Sequence, residues 1–488
     1  MKKNIMLIFT LMTAVSAGAQ TPKWWKTARR AIFSIITYSD KGEINHTGNG
    51  FYISPKGAAL TDFTLIEGSA RGEVVDYRGR RSSVGSILGA GAVFDVARIS
   101  VDAANTDYLR QSDKMPAEGD KVYVMPYTTM NNPSCRAARV LSADSLDIDT
   151  YYLTLDIETG SKDVSCPVLD SDGRLVGMIQ HNAMGDNHSY AISTKLGAGL
   201  KISPLSASDA SLRSTSIPKA LPEGVDGALV YLYTLSSVNL EEYAHALDEF
   251  INTYPDRYEG YTRRAALEII KNTAEGFEKA EKDASTALKV AGGDSSQALY
   301  ELANTVYRYA SVTEGTENAN PRWNYDRALE YATRAVEHGD NPSVYNLRGD
   351  IYLSMGKYRL ATIDYIKFAE MVDDKLDVSF LYKRYEAEIN CHMYKQAVDD
   401  ILRCVKLDPN NAERKTQAGL TYIKLGKYQL AADILEESVG YDKTSAKAWN
   451  LLGICRDKLG DKKAARTAYR QAVNLGDEVA VQLLKKMP

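Results

Sequence analysis

The feature that most constrains the fold is a 34-residue spacing near the carboxyl end. Gly419 and Gly453 are 34 positions apart, and so are Ala431 and Ala465. A period of this length is typical of stacked pairs of antiparallel helices, in which small residues let two helices approach closely. One pair cannot bury its apolar face alone, so successive pairs must stack. The spacing therefore predicts an all-α solenoid, which we place at residues 225–488.

The best copy of the motif reads Trp449-x-x-Leu452-Gly453, followed by Ala465 and Tyr469. It resembles the tetratricopeptide repeat, a family that presents a groove to a peptide or protein partner. The resemblance implies that the first helix of each pair supplies the groove. The candidate groove residues on these helices are Asn346, Asp350, Tyr382, Glu386 and Asn450.

The residues before the repeats have a different pattern. Residues 24–202 contain short apolar alternations separated by glycine and turn residues, for example at 31–36, 72–77 and 151–155. Such spacing is typical of an all-β barrel or sandwich. Residues 203–224 are rich in Ser, Ala and Pro and lack a periodic apolar face. They predict an exposed linker between two domains.

Four segments of the β region occur in a recognisable order. They are Gly48-Asn49-Gly50-Phe51, Thr61-Asp62-Phe63-Thr64, Phe94-Asp95-Val96-Ala97 and Ser165-Cys166-Pro167. In this order they resemble the bacterial trypsin-like serine proteases. The resemblance implies a double β-barrel, so the whole chain is predicted to be a trypsin-like double β-barrel followed by a tetratricopeptide-repeat solenoid.

The same resemblance identifies the positions of the catalytic triad. Thr64 takes the place of the general base, Asp95 that of the orienting carboxylate, and Val164 that of the nucleophile. Acyl transfer on this fold needs a hydroxyl, an imidazole and backbone donors for the oxyanion. Lys162 replaces the glycine that helps to form the oxyanion hole. We therefore expect no catalytic residues, and we keep Ser165 as the fallback nucleophile.

Three functional hypotheses follow from these residues. The first is a non-catalytic pseudoprotease joined to repeats that bind a peptide or protein partner. The second is a divergent serine endopeptidase with a rearranged nucleophile loop, in which Ser165 or Ser161 acts. The third is a structural envelope scaffold. None of them requires a cofactor, and the histidines and cysteines do not have the spacing of a metal site.

The amino terminus has the pattern of an export signal. Lys2 and Lys3 precede an apolar run, and Ala17-Gly18-Ala19 fits a signal-peptidase site, so residues 1–19 are predicted to be a signal peptide. No apolar run of membrane-spanning length follows Gln20. We expect an exported protein, either periplasmic or secreted.

Charge and cysteine content add two expectations. The net charge of −4 offers no general attraction for nucleic acid, so no nucleic-acid partner is expected. Five cysteines do not make a disulfide framework. Cys135 and Cys166 lie in one domain, so a single disulfide between them is one possible arrangement.

Overall fold

A computed structural model describes residues 21–129, 135–293, 295–317, 319–372 and 376–487. The predicted signal peptide, residues 1–19, lies outside the described residues. The chain divides after Pro255 into two compact units, which are described separately.

The first unit is built on two closed, six-stranded, antiparallel barrels. The strand order is β1-β2-β3-β6-β5-β4 in the first barrel and β10-β11-β12-β9-β8-β7 in the second. The prediction of a trypsin-like double β-barrel is confirmed. The strands of the first barrel are β1 (Ile32–Tyr38), β2 (Ile44–Tyr52), β3 (Ala58–Thr61), β4 (Arg71–Val75), β5 (Arg81–Gly91) and β6 (Val96–Val101). Those of the second are β7 (Lys121–Val124), β8 (Arg136–Asp147), β9 (Thr150–Leu155), β10 (Pro167–Leu169), β11 (Leu175–Ile179) and β12 (Ser189–Ser193).

An apolar core shared by the two barrels fixes the region of the triad positions. Leu60 at the end of β3, Val96 at the start of β6 and Leu169 at the end of β10 all pack in this core. Because inward-facing apolar residues fix the positions of the strands, they also fix the positions of the residues just beyond the strand ends. Thr64, Asp95 and Val164 lie within three residues of β3, β6 and β10 respectively.

In the described part of the first unit, five helices accompany the barrels: α1 (Trp25–Ala28), α2 (Thr194–Gly199), α3 (Ala210–Arg213), α4 (Val225–Leu235) and α5 (Leu240–Thr253). The division after Pro255 therefore places α4 and α5 with the barrels. The sequence pattern had instead placed the start of the repeat domain at residue 225, because helix-forming residues begin there.

Residues 203–224 differ from the exposed linker that their composition predicts. Ile217 is fully buried, and the segment runs beside β5. The Ile87 N–H donates to the Pro218 carbonyl at 2.7 Å, and the Ala220 N–H donates to the Ile87 carbonyl at 2.9 Å. The buried Lys219 ammonium also forms an ion pair with Glu242 of α5 at 3.2 Å. Scattered apolar side chains and the free backbone groups of β5 thus order a segment that has no periodic pattern.

The second unit is an array of helices. They are α6 (Tyr258–Ile270), α7 (Ala274–Val290), α8 (Ser296–Thr313), α9 (Tyr325–Glu337), α10 (Pro342–Ser354), α11 (Tyr358–Met371), α12 (Val378–Asn390), α13 (Tyr394–Leu407), α14 (Ala412–Lys424), α15 (Tyr428–Tyr441), α16 (Ala446–Lys458), α17 (Lys462–Asn474) and α18 (Glu478–Lys485). Helices α6 to α17 form six consecutive pairs, and α18 packs against α17. The predicted repeat solenoid is confirmed.

Close approach within the pairs α10–α11 and α16–α17 depends on the small residue that the motif predicts. A Cβ atom at Gly453 would lie 2.5 Å from the Tyr469 ring, and one at Gly349 would lie 2.6 Å from the Tyr365 ring. Real Cβ atoms do not approach other atoms so closely, so any larger residue would push the two helices apart. The glycine of the first helix and the aromatic ring of the second are therefore one packing unit.

Candidate functional site

The position of the general base is occupied by a threonine that binds the orienting carboxylate. Thr64 lies in a short 3-10 turn after β3, and Asp95 immediately precedes β6. The Thr64 N–H donates to Asp95 Oδ1 at 2.7 Å, and the Thr64 hydroxyl donates to the same oxygen at 2.9 Å. The carboxylate that would orient an imidazole is therefore engaged by a hydroxyl and an amide, and neither is a base near neutral pH.

The nucleophile position lies in a loop that is hydrogen-bonded to the first barrel. Val164 follows the 3-10 turn Ser161–Asp163. The side-chain amide of Asn49, on β2, donates to the Lys162 carbonyl at 2.9 Å and to the Val164 carbonyl at 3.0 Å. Asp163 pairs with Arg136 at 2.6 Å. Asn49 and Arg136 were not among the predicted site residues, because Asn49 was used only as part of the Gly48–Phe51 segment and Arg136 lies in none of the four segments.

Ser165, the fallback nucleophile, is fully buried. It occupies the place of the first glycine after the nucleophile and adopts φ +64, a left-handed conformation that glycine prefers. Its N–H donates to the Ile179 carbonyl at 2.9 Å, which holds the residue inward. A hydroxyl with no exposed surface has no path to a substrate carbonyl, so this geometry does not offer Ser165 as a nucleophile.

Asp62 is a buried acid that the sequence reading passed over. Its side chain is 3% exposed, and no described residue forms a hydrogen bond of normal geometry with Asp62 Oδ1. Burial raises the pKa of Asp62 well above its usual range, Asp95 raises it further, and the nearby Ser165 hydroxyl opposes the rise. A carboxyl group held in this way stays protonated more readily than an exposed one. Its place in the apolar run from Ala58 to Phe63 could have identified it.

The two cysteines of the barrels do not form a bridge. Cys135 and Cys166 are both free thiols, as are the other three cysteines. Cys166 is fully buried, and burial followed by the charge of Asp163 raises the pKa of its thiol far above the usual range. A nucleophilic cysteine needs a lowered pKa, so Cys166 is not an alternative nucleophile.

Two of the predicted groove residues are brought together by a lysine. Lys383 Nζ, on α12, lies 2.7 and 2.8 Å from the carboxylate oxygens of Asp350 and 3.4 Å from Asn346 Oδ1, both on α10. The Tyr365 hydroxyl also donates to Asp350 at 2.7 Å. Asn346 and Lys383 line a cavity of about 150 Å³ together with Phe368. The link between the first helices of adjacent pairs was missed because Lys383 is not in the motif.

The other three candidates have separate surroundings. Tyr382 is half-buried, and its ring lies 5.7 Å from that of Tyr385, whereas Glu386 is exposed. Asn450 is buried, and its side-chain amide donates to both carboxylate oxygens of Asp477 at 3.1 and 3.0 Å. Asp477 also caps α18, so Asn450 holds the last helix rather than facing a ligand.

An apolar cavity of about 430 Å³ lies between α6 and α8. Helix α8 has 18 residues, whereas α6, α10, α12, α14 and α16 have 13 each. Its additional turn carries Val312, which is 80% exposed and lines the cavity opposite Ile270 of α6, which is 72% exposed. Arg308 lines the same cavity. The sequence motif does not reveal this cavity, because the extension of α8 lies outside the repeat.

The described residues contain neither a candidate membrane span nor a candidate metal cluster. In the described part of the chain, no helix combines the length and apolar character needed to cross a bilayer. Across the same residues, no three or more His, Cys, Asp or Glu side chains are grouped as metal ligands.

Comparison with family models matches both parts of the chain. Residues 48–178 match the model of the trypsin-like peptidase domain. Residues 342–371 and 416–479 match models of the tetratricopeptide repeat. These matches agree with the fold of each unit described above.

Similar curated proteins cover small segments. The human cilia- and flagella-associated protein 70 is 24% identical over 154 residues, and the bovine BBSome complex member BBS4 is 35% identical over 75 residues. These matches cover 31% and 15% of this chain, and the chain spans only 14% of the length of each relative.

Similar solved structures include a protease from M. tuberculosis in its active form and a serine endoprotease from Yersinia pestis. They have TM-scores of 0.31 and 0.30 and identities of 19% and 22%. Each match covers 36% of this chain, with 81% and 65% of the respective structure. The family models and the fold lead to one conclusion: this chain combines a trypsin-like peptidase domain with tetratricopeptide repeats.

Proposed function

We propose that the protein is a non-catalytic binding protein, in which a trypsin-like pseudoprotease domain is joined to repeats that capture a peptide or protein partner. The observation that carries this proposal is the pair of hydrogen bonds from Thr64 to Asp95. They occupy the orienting carboxylate with a residue that cannot accept a proton from a nucleophile near neutral pH.

Two further observations support the absence of peptidase activity. Val164 has no nucleophilic atom, and the hydroxyl of the adjacent Ser165 is buried. Lys162 directs its carbonyl oxygen to the Asn49 amide, so the loop is ordered by contacts that involve no substrate. The arrangement holds the fold of a protease without an activated nucleophile.

Partner binding is supported by the surface of the repeats. The cavity between α6 and α8 brings the exposed side chains of Ile270 and Val312 together, and contiguous exposed apolar surface is a feature of binding sites. Arg308 at the same cavity adds a charged group. We therefore propose that the partner is a peptide segment that places at least one large apolar side chain in this cavity.

The proposal of export rests on the sequence of residues 1–19 alone. The protein acts, on this view, in the periplasm or outside the cell. Amino-terminal sequencing of protein purified from its natural host tests this point. A mature chain that begins after Ala19 supports export, and an intact Met1 contradicts it.

The test of catalytic status uses a serine-directed fluorophosphonate probe and intact-mass analysis of the purified full chain. We expect no mass increase for the wild type. A parallel sample of an active trypsin-like protease shows that the probe reacts under the same conditions. A Thr64→His/Val164→Ser variant shows whether the probe labels this fold once a histidine and a serine stand at the triad positions. Labelling of wild-type Ser165 or Ser161 would show that the protein is a peptidase.

The test of partner binding uses a peptide library displayed on phage and the immobilised full chain. We expect enrichment of peptides that share a large apolar residue, and an Ile270→Glu variant should lose that enrichment. A Leu407→Glu variant is the control, because Leu407 is similarly exposed at 57% but lies on α13 and not at the cavity. A library without enrichment on either protein would favour the envelope scaffold over the binding protein.

A further inference from the structure

A third cavity, of about 500 Å³, lies on the first barrel and is lined by four arginines. It is bounded by the turn between β4 and β5, by the end of β2 and by the residues that follow β6. Four guanidinium groups and two carboxylates line it, an excess of two positive charges at neutral pH. The charged lining residues are Arg30, Arg78, Arg80, Arg81, Asp76 and Asp107.

Two of the four arginines are already paired. Arg80 forms an ion pair with Asp76 at 2.7 Å, and Arg81 pairs with Glu73 at 2.8 Å. Arg30 and Arg78 form no ion pair with any residue that the structure describes. Both are exposed, and they come from two different segments of the chain that meet at the cavity.

Asp76 does not neutralise the two unpaired arginines, because its oxygens are used within the turn. Asp76 Oδ1 accepts from the N–H groups of Arg78 and Arg80 at 2.8 and 2.9 Å, and Oδ2 accepts from the Arg80 side chain at 2.7 Å. Burial alone would raise the pKa of Asp76, but hydrogen bonds from Arg80 and from the Arg78 N–H lower it below its usual range. Asp76 thus stays ionised and shapes the wall of the cavity.

Tyr52 provides a polar group at the buried side of the cavity. Its side chain is 4% exposed and lines the cavity. Burial, with a further effect from Asp76, raises the pKa of Tyr52 to about 12, so the phenol is neutral and can donate a hydrogen bond at neutral pH.

We propose that this cavity binds the phosphate or sulfate group of a small anionic molecule, held by the guanidiniums of Arg30 and Arg78 and by the Tyr52 hydroxyl. A guanidinium offers parallel N–H donors that match the oxygens of such a group. The unpaired charges in the lining are those of Arg30, Arg78 and Asp107, a net charge of +1, and a tetrahedral oxyanion has enough oxygens to accept hydrogen bonds from both guanidiniums at once. The volume lies in the range of sites for small molecules, which leaves room for the group that carries the oxyanion.

The experiment measures binding of inorganic phosphate, inorganic sulfate, phenyl phosphate and benzoate to the full chain by isothermal titration calorimetry, at constant ionic strength. We expect the doubly charged anions to bind with a Kd of about 1 mM or below. The Arg30→Gln/Arg78→Gln variant should bind about tenfold or more weakly. Tyr52→Phe should weaken binding by a smaller factor, since it removes one hydrogen bond and keeps the ring.

Arg213→Gln is the matched control, because Arg213 is an exposed arginine of the same unit outside the cavity. Its affinity should equal that of the wild type, and circular dichroism melts should show that all variants are folded. Tighter binding of phenyl phosphate than of free phosphate identifies an ester as the ligand, and equal affinity identifies the free ion. The proposal is overturned if none of the doubly charged anions binds, if benzoate binds as tightly as phenyl phosphate, or if the double variant keeps wild-type affinity.

Discussion

At the scale of single residues, a buried carboxyl group in the repeats gives the clearest titration behaviour. Glu388 of α12 is 3% exposed, and within the described chain its Oε2 has no hydrogen-bond partner. Arg384 lies 4.0 Å from Glu388 Oε1, but its guanidinium is committed to Asp400. Burial, followed by the charge of Asp400, raises the pKa of Glu388 to about 8.

This raised pKa predicts how stability depends on pH. Since the folded state prefers neutral Glu388, the carboxyl favours folding below its ordinary pKa of 4.5, and this advantage is lost as the pH rises towards about 8. The unfolding free energy of the wild type, relative to Glu388→Gln, should therefore fall across this window by on the order of 3 to 5 kcal/mol. Urea denaturation at pH 4.5, 6 and 8 measures it.

Glu386→Gln is the control for this experiment, because it removes an exposed carboxyl from the same helix. Comparison with it separates the effect of burial from that of a change in net charge. A difference between wild type and Glu388→Gln that stays constant from pH 4.5 to pH 8 would contradict the prediction.

At the scale of elements, three of the helix pairs each contain an arginine–aspartate ion pair between their two helices. Arg348 of α10 binds both oxygens of Asp364 on α11 at 2.7 Å. Arg384 binds Asp400 between α12 and α13 at 2.6 Å, and Arg264 of α6 binds Asp283 of α7 at 2.8 Å. All three aspartates are buried. These two-point contacts join the two helices of a pair in addition to their apolar packing.

Breaking one of these ion pairs is expected to be costly. Arg348→Met leaves Asp364 buried without its cation, which should lower the free energy of unfolding by about 3 to 5 kcal/mol. The Arg348→Met/Asp364→Leu variant removes both charges and should recover most of that loss, because well-packed apolar residues can replace a buried ion pair. Guanidinium denaturation of both variants and of the exposed-site control Arg359→Gln measures this. A double variant no more stable than Arg348→Met would show that the geometry of the pair is itself required.

Sequence patterns predicted the packing units of these elements but not the polar groups that join them. Gly453 and Tyr469 could be paired from the repeat, since both are motif positions and a close approach requires a small residue. Arg348 and Asp364 belong to no motif, and charged residues on helices are usually exposed, so their burial depends on the fold. The same limit applies in the barrels: Thr64 and Asp95 were assigned a role by position, whereas Asp62 and Asn49 lie in the matched segments but were assigned none.

At the scale of the whole molecule, the boundary between the two units lies after Pro255, whereas the amino-acid composition changes at residue 225. Residues 218–220, near the end of the segment 203–224, pair with β5, and Lys219 is buried against Glu242 of α5. Composition changes abruptly at residue 225, yet α4 and α5 belong to the first unit. Backbone hydrogen bonds do not depend on the side chains, so a composition rich in Ser and Pro does not show whether a segment is exposed or packed against a strand.

This boundary predicts the behaviour of fragments. A fragment of residues 21–255 should fold cooperatively, whereas one of residues 21–224 leaves the buried Lys219 without Glu242 and exposes the apolar surface that α4 covers. We expect the shorter fragment to be less stable by at least about 3 kcal/mol. Thermal melts followed by circular dichroism compare the two fragments, and equal melting temperatures would show that residues 225–255 do not support the barrels.

The arginine–aspartate pairs have a mechanical consequence for the repeats. In the pairs that contain them, the two helices are joined by both apolar packing and a two-point ionic contact, and helices within a pair contact each other more extensively than helices of neighbouring pairs. In such a solenoid each helix pair is a stiff unit, and the contacts between neighbouring pairs are weaker. When the array is bent or stretched, we expect the deformation to occur mainly between pairs, for example between α11 and α12, while each pair keeps its internal geometry.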